Sequence, residues 1–483
     1  MKLSVAHCIA LCGALFLTAC THQQTEPEPC GPLPAPRQVA WQEMETYAFL
    51  HYSLNTYTDQ EWGFGNEDPA LFNPSSLDVE QWVTTCRNAG MKGIILTAKH
   101  HCGFCLWPSR YTDFSVKSSP WKNGEGDVVR ELSEECRRQG LKFGVYLSPW
   151  DRNRSDYGTA EYVTYFRQQL EELLTQYGDI FEVWFDGANG GDGWYGGANE
   201  MRRIDRATYY DWSETYRQVR QWQPDICIWA DVWTRADARW VGTEDGYVGE
   251  TNWSLLSEGR ALHDALHYGE EEADQWCPGE VDTSIRPGWF YHEREDSLVK
   301  TVPQLVETYY RSVGRNANLL LNFPIMPNGR INAIDSLHGA QFHEVIERTF
   351  ANDLAAGARV KCTLLPEPEP EPSANDSLQP QPRHAAEFLV NFDRPTTFDR
   401  LMLQEPIQLG QRVREFRVEA LVGGVWQPLE DSLYGTPGHL TTIGYKRLVS
   451  FPRVTATQFR VTILSAKAEP LLSHIGAYLS PES

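Results

Sequence analysis

Positive charge is scarce in this chain. Forty-three Lys and Arg stand against 65 Asp and Glu over 483 residues, a formal charge of -22. Such a surface repels nucleic acid and anionic lipid, and a neutral or basic substrate fits it better. Cysteine is thin as well, at 11 residues. Beyond Cys20 they fall at Cys30, Cys86, Cys102, Cys105, Cys136, Cys227, Cys277 and Cys362, too sparse for a disulfide scaffold in a chain long enough not to need one. Cys86 and Cys136 read as small hydrophobes on helices, Cys227 as one in a strand. A dinucleotide fingerprint is missing: Gly187, Gly190, Gly191, Gly193, Gly196 and Gly197 form a wandering loop, and no G-x-G-x-x-G opens a helix there. Lys99-His100-His101-Cys102-Gly103-Phe104-Cys105 carries metal-binding residue types. Yet adjacent histidines at a strand end diverge, and its single Cys-x-x-Cys has no matching pair. No cofactor and no metal are expected.

The apolar run Leu3 to Ala19 behind Met1-Lys2 is too short to span a bilayer stably and has the layout of a secretion signal. Leu17-Thr18-Ala19-Cys20 resembles a bacterial lipobox. The expectation is a signal peptide over 1–19, a lipidated Cys20 anchoring a tether over 20–35, and an exported protein in the periplasm or at the outer membrane. Ordinary secretion, with Cys20 a coincidence, is the alternative.

What the chain has in quantity is aromatic surface: 17 Trp, 21 Tyr and 20 Phe. Large cores account for most such rings, and stacking on the C–H faces of sugars is a further use. Amphipathic helices alternate with short apolar strands. Leu77–Ala89 precedes Met91–Thr97, Asp127–Gln139 precedes Leu141–Leu147, Glu161–Tyr177 precedes Ile180–Phe185, and Tyr209–Gln223 precedes Ile226–Ala230. Further strands are expected at Thr46–His51, Ala238–Val241 and Asn318–Phe323, the last after a helix over Val299–Val313. Polar residues follow strand after strand instead of gathering at one crevice, which predicts a (β/α)8-like TIM barrel over 36–355. A Pro/Glu-rich linker is expected over 356–384. Short alternating segments over 385–483 predict a C-terminal antiparallel β-sandwich.

In such a barrel the loops at the C-terminal strand ends surround one mouth, so His51, His100, Tyr146, Asp186 and Glu244 could converge. Asp186 ends the strand Phe181–Phe185 and precedes Gly187, an arrangement that suits a rigidly held nucleophile for glycosidic bond cleavage. A helix cap, or a calcium ligand with Asp192, is the alternative. Glycoside hydrolysis also needs a proton donor. Glu244 fits, and Asp231, Glu250, Glu280 and Asp282 are rivals that spacing does not rank. His51, His100 and His101 could donate to sugar hydroxyls, with Glu61 an acceptor and Trp62 an apolar wall. In Arg286-Pro287-Gly288-Trp289-Phe290-Tyr291-His292, a turn followed by contiguous rings, Trp289 is the ring expected to receive an apolar edge such as a sugar methyl.

Several ordered blocks resemble the bacterial α-L-fucosidases of glycoside hydrolase family 29. They include His51-Tyr52-Ser53, Glu61-Trp62, Leu96-Thr97-Ala98-Lys99-His100-His101, Val183-Trp184-Phe185-Asp186-Gly187-Ala188, Arg239-Trp240-Val241-Gly242 and Gly314-Arg315-Asn316-Ala317-Asn318. The resemblance runs from about Ala48 to Pro324. It implies a retaining exo-fucosidase with Asp186 as nucleophile, Glu244 as acid/base, and His51, Glu61, Trp62, His100, His101, Tyr146 and Trp289 lining the sugar pocket. It also implies a preference for α-1,3- or α-1,4-linked fucose on oligosaccharides or glycoconjugates. Tyr47-Ala48-Phe49-Leu50 departs from the commoner Phe-Gly-x-Phe strand. A fucoglycan-binding lipoprotein without turnover, or a glycosidase for another sugar or linkage, are the alternatives.

Overall fold

The computed structural model describes residues 27–230, 235–258, 263–366, 384–432 and 439–481. The expected signal peptide, Cys20 and Asp231 lie outside the described residues.

Eight parallel strands form the first domain: β1 (Thr46–Leu50), β2 (Gly93–Lys99), β3 (Lys142–Leu147), β4 (Ile180–Phe185), β5 (Cys227–Ala230), β6 (Arg239–Trp240), β7 (Gly279–Ser284) and β8 (Ala317–Asn322). Their order is β5-β4-β3-β2-β1-β8-β7-β6. The ends meet through a parallel bridge between Trp229 and Ala238, which closes the barrel.

Side chains on a strand alternate between faces, and two separate cores record the alternation. Ala48, Leu50, Ile94, Leu96, Val145, Leu147, Val183, Phe185, Leu319 and Leu321 pack outward among the helices. Tyr47, Phe49, Ile95, Tyr146, Trp184, Trp229 and Leu320 fill the barrel. The helix Pro36–Gln42 contributes Trp41 to that inner core. The outer helices start and stop where local chemistry requires. Asp127 Oδ1 caps Val128–Gln139 by accepting from Arg130 N at 2.9 Å, and Gly140 ends it in the left-handed conformation at φ 80°.

Strand β7 is invisible to hydrophobic pattern. Its sequence, Gly-Glu-Val-Asp-Thr-Ser, is buried along its whole length. Glu280, Asp282 and Ser284 occupy alternate positions on it. Glu280 accepts from Trp184 Nε1 at 2.6 Å and from the Tyr47 hydroxyl inside the barrel.

The second domain is a seven-stranded antiparallel sheet. Its long strands Ala385–Gln404 and Arg447–Ala466 pair with register shifts between Asn391 and Thr396 and between Phe398 and Arg400. Both halves of the sheet bury side chains in one core, with Phe388, Val418 and Phe459 from one and Leu401, Val449 and Ala477 from the other. The expected linker over 356–384 is corrected in part: Arg359–Leu365 is a strand paired with 385–391. Its Arg-Val-Lys-Cys-Thr alternation was masked by the prolines that follow. The end of the expected tether is fastened to this domain, where Cys30 N donates to Leu409 O at 2.9 Å. Contacts such as Asn316 Oδ1 with Tyr445 N at 2.7 Å brace the sheet against the barrel.

Candidate active site

One cavity of about 930 Å³ opens at the C-terminal ends of the barrel strands, and all nine residues singled out from the sequence line it: His51, Glu61, Trp62, His100, His101, Tyr146, Asp186, Glu244 and Trp289. Asp186 directly follows β4, where Glu182, Trp184 and Asp186 share one side of the strand by the period of two. Its Oδ2 lies 3.2 Å from the Tyr146 hydroxyl, which donates to it, and 3.6 Å from His101 Nε2. Its side chain is 37% exposed, open enough to meet a substrate. Gly187 turns the chain away at φ 79°, and a Cβ there would stand 2.5 Å from the His101 ring, so this position needs glycine twice over.

The three histidines are neutral. Burial pushes His51 and His101 down to about 3, and it lowers His100 strongly, with His101, His51 and Arg152 adding repulsion. His51 Nδ1 donates to Asn322 Oδ1 at 2.8 Å. The Asn322 amide nitrogen in turn donates to Ser284 Oγ and to Trp289 O, both at 2.9 Å. The Asn322 orientation thus fixes the tautomer, leaving His51 Nε2 an acceptor for a sugar hydroxyl, the reverse of the donor expected from sequence. His100 stacks on Tyr146 with ring centroids 5.6 Å apart and an 11° interplanar angle. Trp62 stands edge-on to His101 and to Trp150 at the rim, 59% exposed. Phe49, Trp184 and Trp229 supply the cavity's apolar floor.

The matching family model, described as alpha-L-fucosidase, covers residues 36–338. The chain belongs to the alpha-L-fucosidase family. It is an alpha-L-fucosidase, a glycoside hydrolase. Alpha-L-fucosidase 1 of Arabidopsis thaliana is 38% identical over 482 residues, covering 94% of this chain and 89% of that protein. The solved structure of a glycoside hydrolase 29 family member from an unknown rumen bacterium is 57% identical, covers 94% of this chain and 79% of that one, and superposes with a TM-score of 0.87. A family 29 fucosidase of Ruminococcus gnavus in complex with fucose is 31% identical, with coverage of 96% and 98% and a TM-score of 0.80.

In the same fucosidase cavity as Asp186, Glu244 Oε2 accepts from Trp289 Nε1 at 3.0 Å. Burial raises its carboxyl above the usual range. The indole hydrogen bond lowers it, and the nearby Glu61 and Asp245 push it up further. A carboxyl whose proton affinity is raised beside an open cavity is what a general acid needs. Among the rivals, Glu250 pairs with Arg447 at 3.5 Å and does not line the cavity. Glu280 is bound lower in the barrel, as described above.

Asp282 is the rival whose placement matters. It lines the cavity, is 3% exposed, and its buried Oδ1 has no hydrogen-bond partner. Burial raises its carboxyl strongly, and the repulsion of Glu244, Glu280 and Asp186 adds to the shift. Sequence reasoning left it among undifferentiated acids because the strand carrying it has no apolar run. Trp150, Trp184 and Asn322 were passed over as well. The signal for two of them was positional: Trp184 stands one residue before the mouth end of its strand, and Asn322 at the end of its own.

Glu61, expected as a sugar acceptor, lines the cavity and is also bound to the wall segment that carries Trp289. Its carboxylate accepts from Trp289 N at 2.9 Å, Phe290 N at 3.1 Å and His292 Nε2 at 2.7 Å. The lysine of the Lys99-His100-His101 block turns from the cavity into a buried pair with Asp151 at 3.2 Å.

Proposed function

We propose that the fucosidase works by double displacement with retention. Asp186 attacks the anomeric carbon of L-fucose while Glu244 gives its proton to the departing glycan oxygen. Water then attacks the fucosyl-enzyme with Glu244 as base, releasing fucose and restoring both carboxyl groups. The observation that carries this reading is the contrast between two carboxyl groups lining one cavity. Asp186 is open and receives a phenol hydrogen bond, whereas burial, with neighbouring acids, raises Glu244 above the usual carboxyl range. The neutral histidines suit a neutral sugar, with His51 accepting and its neighbours available to donate. The rings of Phe49, Trp184 and Trp289 offer a surface for the fucose methyl, whose burial is worth roughly 1 kcal/mol.

The blocks Arg239-Trp240-Val241-Gly242 and Arg286-Pro287-Gly288-Trp289 support a preference for α-1,3 and α-1,4 linkages on branched glycans. The Leu17–Cys20 segment supports export as a lipoprotein to the periplasm or outer membrane. Reaction with a mechanism-based 2-deoxy-2-fluoro-fucoside followed by peptide mapping tests the nucleophile. The label is expected on Asp186, and its appearance on another acid would defeat the assignment. Digestion of α-1,2-, α-1,3-, α-1,4- and α-1,6-linked fucosyl oligosaccharides tests the linkage. Globomycin sensitivity of processing tests the lipid anchor.

A further inference from the structure

Behind the cavity wall stands a group of charges that the double displacement does not use. His292 is 1% exposed and does not line the cavity. Its Nε2 is 2.7 Å from Glu61 Oε1 and its Nδ1 is 2.5 Å from Asp59 Oδ1. Each ring nitrogen of His292 thus faces a carboxyl group, and the ring bridges the two acids. Arg294 Nη1 closes the array on Asp59 at 2.8 and 2.7 Å. Glu295, on the same segment, accepts from Gly288 N at 3.1 Å. The hydrogen bond from His292 holds Asp59 below the usual carboxylate range, with Arg294 adding to it, while burial opposes them.

The array is built tightly. Asp59 has a left-handed backbone at φ 56°, a conformation that costs a non-glycine residue free energy and persists only where surroundings impose it. A Cβ on Gly288 would stand 2.6 Å from Glu61 Oε1 and 3.0 Å from the His292 ring. What this holds in place is the backbone of Trp289 and Phe290, through the two amides donating to Glu61. The Trp289 indole then reaches Glu244 at 3.0 Å. A continuous chain of hydrogen bonds thus runs from Asp59 through His292, Glu61 and Trp289 to Glu244.

We propose that His292 is a positioning residue for the acid/base: clamped between Asp59 and Glu61, it keeps Glu61 on the Trp289 and Phe290 amides and so keeps the Trp289 indole on Glu244. The proposal rests on Glu244 being the acid. Glu244 faces Glu61, Asp245 and Asp282 as charged or titratable neighbours, and the indole is the group that opposes their upward push. Loosening the indole therefore raises the proton affinity of Glu244. General loosening of the wall would instead hydrate Glu244 and lower it, so the sign separates positioning from damage.

The test is the pH profile of kcat/KM for hydrolysis of a fucosyl oligosaccharide by the full chain, in wild type and in His292→Phe, Trp289→Phe and the double variant. His292→Phe is expected to move the alkaline limb to higher pH and to lower kcat on the order of 10-fold, with KM changed less. In the Trp289→Phe background it should move the limb no further. An unmoved limb, a limb displaced to lower pH, or a full second displacement in the double variant would overturn the proposal. Should His292→Phe not fold, His292→Gln carries the same comparison, since it keeps one N–H for Glu61 and should fall between the two. Glu244→Gln separates the two levels of inference: it should abolish the alkaline limb, and a limb that survives it disproves Glu244 as the acid whatever His292 does.

Discussion

The Tyr146 hydroxyl donates to Asp186 Oδ2 over 3.2 Å and ties together the mouth ends of two neighbouring barrel strands. A phenol so placed holds the carboxyl group in one orientation at the cavity. Tyr146→Phe should therefore lower kcat/KM by about 10- to 100-fold, the worth of one hydrogen bond to a charged group. Steady-state rates on an oligosaccharide decide it, and an unchanged rate would show that the contact aims nothing.

Asp186→Ala should cost on the order of 10⁴-fold in kcat while leaving the thermal midpoint close to wild type, because the side chain lies at an open cavity. The vacated space admits a small nucleophile. Azide with an activated fucoside should restore turnover and yield the fucosyl azide of inverted configuration, identified by NMR. A product of retained configuration would contradict Asp186 as the attacking group.

Asp282 should be present as the neutral acid, since it is buried with Oδ1 unpartnered and faces Glu244, Glu280 and Asp186. Asp282→Asn then keeps both shape and neutrality, so kcat/KM should stay within about fivefold of wild type. Asp282→Ala opens a hole in the floor and should do worse. A loss of several hundredfold in the Asn variant would mean that the ionised form is the working one.

Below the cavity, Glu182 and Glu280 are both fully buried in the barrel interior, where Trp41 Nε1 donates to Glu182 at 2.8 Å. Burial raises both carboxyls, that of Glu280 to about 7, and Glu182 is raised further by the charge of its partner. A group whose folded value is raised contributes its full stability below the ordinary carboxylate value, and that contribution is lost as pH rises through the folded value. Thermal stability should accordingly decline as pH rises through about 7, by at most about 1.4 kcal/mol per pH unit for one proton. Glu182→Gln mimics the protonated acid and should flatten that decline. Calorimetric midpoints between pH 5 and 9 measure it, and parallel curves for the two proteins would rule out the pair as the source.

Most barrel strands were legible because their outward faces need apolar side chains against helices and their inward faces carry rings, which makes runs such as Ile180–Phe185 continuous to the eye. The one barrel strand that escaped, Gly279–Ser284, fills its inward positions with acids and a hydroxyl, and nothing local marks such a segment as buried. The candidate residues at strand ends were found for a related reason. A polar residue that breaks an apolar run marks the point where a strand leaves the core. His292 and Asp282 break no such run, so pattern passed them by.

By itself the sequence determined the alternation of helix and strand, the position of Asp186 at the mouth end of β4, and the scarcity of positive charge, since each depends on neighbours along the chain. Only the closed barrel decided which acids share a cavity, that Asn322 holds the His51 ring, and that Glu61 accepts from the Trp289 backbone. Those properties arise from burial and from partners brought together across the fold, and an isolated segment contains neither.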